Sequence, residues 1–266
     1  MNVFTHELKT NSRSMLIWTG SYCILMIVFM SMYPALASDI DLTKKIFESL
    51  PSAVSAAFGI SMHSFFTVFG LYSYVFTFLL LAGAVQAIHL GLETIAKEER
   101  AKTADFLMTK PISRKWILTS KLLAATTVLL ITNAFFILSA YITIVLFSSN
   151  NFSVEIFCLI TLTLFYVQIF FLALGVLLSV MIPKIKSIIS VSLPVVFSFF
   201  IIGTLGAIIG DNRIRYITPF KFFDYAYIIQ HNSYEFRYIL LEIFFIVIAI
   251  TLSYVLYNKK DVRAAS

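Results

Sequence analysis

The sequence predicts an all-α membrane protein of six transmembrane helices, with both termini cytoplasmic and a single transmembrane domain over residues 1–266. Three observations carry this prediction. The chain is 59% hydrophobic and 13% charged, against roughly 45–50% and about 25% in soluble domains, more apolar surface than a soluble fold of this length can hide. Six charge-poor runs, at about 15–34, 66–92, 116–147, 154–182, 188–209 and 238–257, each supply the ~20 residues that a helix needs to cross a ~30 Å hydrocarbon core. With the N-terminus inside, fourteen of the twenty Lys and Arg residues fall on inner segments and six on outer ones, the asymmetry of cations retained in the cytoplasm. The pI of 9.2 is then a topology signal. The cations are spread over four inner segments with no aromatic-basic stripe, which argues against a nucleic-acid partner.

Each element follows in order. In residues 2–13, Phe4 and Leu8 share a face at helical spacing, and a short interfacial helix and a solvated tail are equally good readings of that pattern. Span one follows Lys9 and Arg13. Ala35-Leu36-Ala37 resembles a cleavage site, but the apolar run of about 20 residues exceeds the 7–15 of a signal peptide, so the span is read as retained. The loop 37–65 is an outer loop with some helix. Span two leads into the one long polar segment on the inner side. Residues 94–108 read as a helix, with Glu98 and Lys102 at i,i+4, worth ~0.2–0.5 kcal/mol. Pro111 ends that helix, and Ser113 caps span three with Ile112 and Ile117 placed as a hydrophobic staple. A tight outer turn at 148–153 precedes span four. The inner turn Pro183 to Ser187 carries Lys184 and Lys186, and the outer segment 210–237, rich in aromatics, lies between spans five and six.

A rigid polar helix joining two long spans is a mechanical part, because a partner that pushes on it moves both spans. The plainer reading is a solvated connector, the usual fate of a charge run.

At this point the sequence resembles a family. Glu98-Glu99-Arg100, Thr103-Ala104-Asp105-Phe106-Leu107-Met108, Pro111-Ile112-Ser113-Arg114 and Lys121 resemble the signature of ABC-2 type permeases. Glu7-Leu8-Lys9 followed by Trp18 is similar to the family's opening, and Thr218-Pro219-Phe220-Lys221-Phe222-Phe223-Asp224 to its motif before the last span. The chain departs from the pattern at Lys102, where Gly is usual, at Ala104, and at Ser120, where Gly precedes the lysine. The resemblance implies the transmembrane subunit of a bacterial ABC exporter in the plasma membrane. It implies a second permease chain, as homo- or heterodimer, and a cytoplasmic ABC ATP-binding subunit that holds ATP and Mg. It also implies a coupling helix between spans two and three that docks on that subunit. By position the coupling residues are Glu98, Glu99, Arg100, Lys102, Thr103, Asp105, Pro111 and Arg114, beside the N-terminal interfacial helix.

The residues themselves exclude several chemistries. None of the nine glycines is followed by lysine, so the Gly-Lys-Ser/Thr cradle of a P-loop is absent and ATP hydrolysis belongs to another polypeptide. His6, His63, His89 and His231 contain no His-x3-His pair for a metal, and there is no Gly-x-Ser-x-Gly elbow. Cys23 and Cys158 lie in separate spans and point to neither a disulfide framework nor a zinc site. The chain is expected to be no enzyme and to bind no cofactor or metal of its own.

Polar residues inside the spans are functional suspects by default. Gln86 and His89 approach the inner end of span two, Glu242 lies about one turn into span six within reach of the interface or Arg237, and Lys121 is expected to snorkel to the inner headgroups. Asn133 and Gln168 are deepest and are the candidates for a substrate path, although interhelical hydrogen bonding is the favoured reading. Gly206 and Gly210 have small-xxx-small spacing near a span end, where glycines often only shape the exit. Trp18, Tyr33, Trp116 and Tyr257 are read as belt aromatics facing lipid. The leading reading is an exporter permease working by alternating access, with antimicrobial or peptide export or immunity as the expected role. The competing one is a non-transporting sensor or scaffold bound to an ATPase.

Overall fold

A computed structural model describes residues 3–38, 67–101, 113–148 and 152–259. Eight α-helices and two 3₁₀ turns form among them: α1 Val3–Ser31, α2 Tyr33–Ser38, α3 Val68–Ala101, α4 Arg114–Phe147, α5 Val154–Met181, α6 Ile189–Ile209, 3₁₀ turns Asn212–Tyr216 and Pro219–Lys221, α7 Tyr225–His231 and α8 Phe236–Lys259. Six helical segments are long and apolar enough to span a membrane, α1 with α2 counting as one. In hydrocarbon a helix satisfies its own backbone, and here side chains close several ends. Ser113 accepts from Trp116 N–H at 3.3 Å, as its sequence position predicts, and Ser153 caps α5 by accepting from Ile156 N–H at 3.4 Å.

The expected N-terminal interfacial segment is not a separate element. It forms the first turns of α1, which runs unbroken from Val3 because no proline and only Gly20 occur before Ser31. The break comes at Met32, between α1 and α2, two residues before Pro34, which has no N–H to continue the ladder. The inner polar segment likewise continues span two, since α3 stays helical through Ala101. Residues 102–112, the remainder of that segment, lie outside the described residues. At ~1.5 Å per residue the 34 residues each of α3 and α4 extend about 51 Å, well beyond a ~30 Å core. Both helices are therefore longer than the hydrocarbon core is thick.

The bundle is built on α3 and α5, which make the most extensive contact in the fold, followed by α1 with α4 and α8 with α5. The α3–α5 pair runs parallel, as shown by the order of its contacts. Tyr72 meets Thr161 at 2.6 Å near one end, and Thr94 meets Ser179 at 3.5 Å near the other. Between them the backbones touch. A Cβ on Gly91 would lie 2.5 Å from the Leu172 carbonyl oxygen, and one on Gly175 would lie 2.6 Å from that of Ile88. Gly83 faces Leu164 and Gln168 in the same seam. Small residues permit such approach, and in lipid the packing itself drives helix association.

Gly206 and Gly210 shape an exit. Gly206 receives the Ile214 side chain of the first 3₁₀ turn, and Gly210 caps α6 at φ +77°. The segment Thr218 to Asp224 then closes this end of the bundle. Thr218 donates to the Phe199 carbonyl at 2.9 Å, Phe222 and Phe223 are buried, and Asp224 caps α7 by accepting from Ala226 N–H at 2.9 Å. Tyr33 and Tyr257 are buried and do not face lipid as expected of belt residues, whereas Trp116 is exposed.

The seam yields a direct test. Gly91→Ala places a methyl against backbone that has no rotamer to yield, so it is expected to lower stability by roughly 1–3 kcal/mol. Gly20→Ala, with nothing within 4 Å of its Cβ, is expected to leave the melting temperature in detergent unchanged or raise it. Equal melting temperatures for the two variants would refute the seam.

Candidate functional site

Three polar assemblies lie along the bundle, and the first two are positioned by the α3–α5 seam. The first sits at the end that carries the N-terminus of α1. Glu7 on α1 pairs with Lys97 on α3 at 3.4 Å and approaches Lys121 on α4 at 3.9 Å. Lys121 does not snorkel to headgroups. Its side chain is 3% exposed and its ammonium donates to the carbonyl of Thr94. The reason is local, because Thr94 uses its own hydroxyl on the Gly91 carbonyl at 2.7 Å and faces Ser179. The seam thus presents a backbone oxygen that a buried cation can take. One turn away, His89 lies 3.5 Å from Glu93. The node ties α1, α3 and α4 together just where α3 leaves the membrane.

The second assembly crosses the middle of the bundle. Tyr22 donates to Gln86 Oε1 at 2.7 Å, and Gln168 Nε2 donates to the same oxygen at 3.1 Å. Asn133 Nδ2 donates to Gln168 Oε1 at 2.5 Å and to the Leu129 carbonyl at 2.8 Å. Gln86 Nε2 reaches Thr132 at 3.5 Å, and Thr19 reaches Thr132 at 3.4 Å. Tyr22, Gln86, Thr132, Asn133 and Gln168 are all buried. Asn133 and Gln168, the expected path residues, therefore meet each other across a helix interface. Each such bond contributes ~0.6 kcal/mol on average. Tyr22 is the member that sequence reading missed, since a tyrosine in an apolar run reads as a belt or core residue.

The third assembly closes the opposite end. Glu235, whose side chain is 9% exposed, accepts from Arg215 at 2.6 Å and from Arg237 at 3.0 Å. The two guanidiniums lie 4.4 and 5.4 Å from the Tyr238 ring centre. Beside them burial pushes the Lys221 ammonium below its ordinary value, opposed by Asp224 and helped slightly by Arg215. Arg237 is thus committed to Glu235. Glu242, expected to reach Arg237 or the interface, is instead 2% exposed, and its Oε1 has no hydrogen-bond partner. An unpaired charge in the core of a bilayer costs ~2.5–3.5 kcal/mol by insertion scales, which makes this carboxyl the least expected side chain of the spans.

Of the coupling residues, Glu98, Glu99 and Arg100 occupy the last helical turn of α3, and Arg114 opens α4. Lys102, Thr103, Asp105 and Pro111 lie outside the described residues. Among the described residues no group of three His, Cys, Asp or Glu side chains could hold a metal. Two apolar grooves open on the flank of the bundle. One, of about 390 Å³, lies between α1 and α4 beside Thr19 and Cys23. The other, of about 210 Å³, lies between α4, α5 and α8 beside Tyr254.

The described residues thus form a multi-pass helical membrane bundle whose polar contacts lie at helix interfaces and helix ends. The family profile for the ABC-2 family transporter protein matches residues 1–262, and the chain belongs to that family. No curated protein matches it significantly. Membership makes the chain a membrane transport component and implies association with an ABC ATP-binding subunit.

A double-mutant cycle on Tyr22→Phe and Gln86→Leu tests the central assembly. The expected coupling energy in detergent unfolding is about 0.6 kcal/mol and no more than ~1.7. A coupling of zero would show that the Tyr22–Gln86 bond adds nothing.

Proposed function

We propose that this chain is the permease subunit of an ATP-driven exporter that moves substrate across the bacterial plasma membrane by alternating access. In this reading both termini and the α3–α4 junction face the cytoplasm, supported by the excess of Lys and Arg on those segments. The ATP and Mg reside on a separate ABC subunit, and the chain contributes the docking element, Glu98 to Asp105 with Pro111 and Arg114.

The observation that carries the proposal is the uninterrupted course of α3 from Val68 to Ala101. A helix about 20 Å longer than the hydrocarbon core passes a push at its tip directly to the seam with α5. At its base the push is shared with α1 through Glu7–Lys97 and with α4 through Lys121–Thr94. Alternating access needs such a part, since the bundle must shift as packed helices between discrete arrangements. The second permease chain meets the apolar faces that α1, α6 and α8 leave open, such as Leu16, Ile201 and Phe244, and lipid covers the remainder.

Two measurements test this. The purified chain is expected to have no ATPase activity, and its complex with the ABC subunit to have one. Charge reversal at Glu98 and Glu99 to Lys is expected to weaken assembly or to uncouple hydrolysis from transport in vesicles. Normal transport by that variant would remove the docking role. A complex that hydrolyses ATP yet moves nothing in cells or vesicles would instead favour a sensor or scaffold.

A further inference from the structure

α8 lies chiefly on α5 and only grazes α4, and the gap left beside α4 is the groove of about 210 Å³. Leu122, Leu123, Ile169, Leu172, Ala173 and Ile250 make up most of its wall. Leu123 is 57% exposed, so the groove opens on the flank of the bundle that lipid covers. Its hydroxyl rim is already spent. Thr119 donates to the Lys115 carbonyl at 2.8 Å, so the 2.6 Å contact between Thr119 and Tyr254 takes the tyrosine's proton. No lining residue leaves a buried polar atom unpaired. An apolar chain suits such a wall, and a polar solute finds little in it to bind.

The three helices around the groove all carry lysine at the same end. Lys115 lies one turn before Thr119 on the groove side of α4, Lys184 follows the end of α5, and Lys259 is the last residue of α8. All three are exposed, and none makes an ion pair or a side-chain hydrogen bond among the described residues. No acid balances them there. α4 contains none, and Glu155 of α5 and Glu242 of α8 lie toward the opposite end of the bundle. Trp116 is exposed beside Lys115, a ring placed as at a headgroup boundary. From Lys115 to Leu123 the rise is about 12 Å at ~1.5 Å per residue. An anion at the lysines is therefore within one acyl chain's length of the groove.

We infer that this groove seats an acyl chain of an anionic phospholipid of the inner leaflet, whose phosphate is held by Lys115, Lys184 and Lys259. Charge complementarity selects the occupant, since basic residues at the membrane surface attract anionic headgroups. A helix ~10–12 Å across does not enter a gap of this size. A two-fold contact between copies through this face would set the same lysines against each other with no acid to meet them. The seated lipid fills the space beside α4 and braces α8 there. The choice of leaflet rests on the orientation given by the permease reading, whereas binding is a property of this chain alone.

The experiment places the full chain in phosphatidylcholine nanodiscs that contain phosphatidylglycerol with a diazirine midway along one acyl chain. After illumination, peptide mass spectrometry is expected to find adducts on residues 119–126, 169–173 and 250–254 in excess of those on the exposed Ile201 and Leu205 of α6. Unlabelled phosphatidylglycerol is expected to displace the probe from the groove at least about fivefold better than phosphatidylcholine, and Lys115→Gln to cut that advantage about fivefold. Thr126→Phe fills the groove and is expected to remove its adducts while sparing those on α6. Should that variant not fold, Lys115→Gln, a change at an exposed position, carries the test. Adducts spread evenly over the open helix faces, a groove without adducts, or equal displacement by the two lipids overturns the inference. No step uses ATP or an ATP-binding subunit, so a failure to assemble with an ATPase counts only against the permease reading.

Discussion

The close approach of α3 and α5 at Gly91 and Gly175 is the constraint on which the other features depend. Two helices whose backbones touch must run nearly in register, and every pair of residues above and below the contact is placed by it. Tyr72 finds Thr161, Gln86 finds Gln168, and Thr94 finds Ser179. Side chains larger than hydrogen at the contact would push the helices apart and lengthen all three. In a bilayer no hydrophobic effect is available to draw helices together, so the seam has to form from fit and from polar pairs. The glycines provide the fit.

The same seam explains why polar groups sit at three levels and not at random. At one end the Thr94 carbonyl, offered by the turn that packs on Ser179, takes the ammonium of Lys121 and brings Glu7 and Lys97 with it. Halfway along, Gln86 and Gln168 face each other and recruit Tyr22 from α1 and Asn133 from α4. The aromatic segment Phe220 to Phe223 packs against Phe170 and Phe171, just past Gln168 on α5. A displacement of α3 along its axis would disturb the Thr94 and Gln86 contacts together.

Much of this was legible in the residues. The six spans followed from hydropathy and length, although α1 begins at Val3 and not near 15, and α3 runs to Ala101 and not to 92; Ser113 was read as a cap, and the aromatic segment 210–237 was recognised as an element of its own. Gln86, Asn133 and Gln168 were picked out because amides in apolar runs need partners. The seam was passed over in favour of Gly206 and Gly210, although Gly83, Ala87 and Gly91 repeat at intervals of four. Gly175 and Ser179 repeat at the same interval on α5, but a close contact requires a match between the two helices that neither stretch shows alone. Glu242 was assigned to the interface from its distance along the span. Its real surroundings depend on which way α8 is rotated.

By itself the sequence determined that the chain crosses a membrane as helices, roughly where the apolar spans lie, that it carries no Gly-Lys phosphate cradle, and which family it belongs to. These are properties of local composition and of the bilayer's demand that each segment satisfy its own backbone. Only the tertiary structure decided that α1 and α3 run on without a break into their polar ends, that Lys121 is buried against a carbonyl, that Tyr22 joins the amide chain, and that Glu242 is buried with no donor to its Oε1. Each of those depends on the rotation and spacing of one helix against another. Hydrogen bonds between residues 27 to 113 positions apart set that geometry, and no short window of sequence contains both partners.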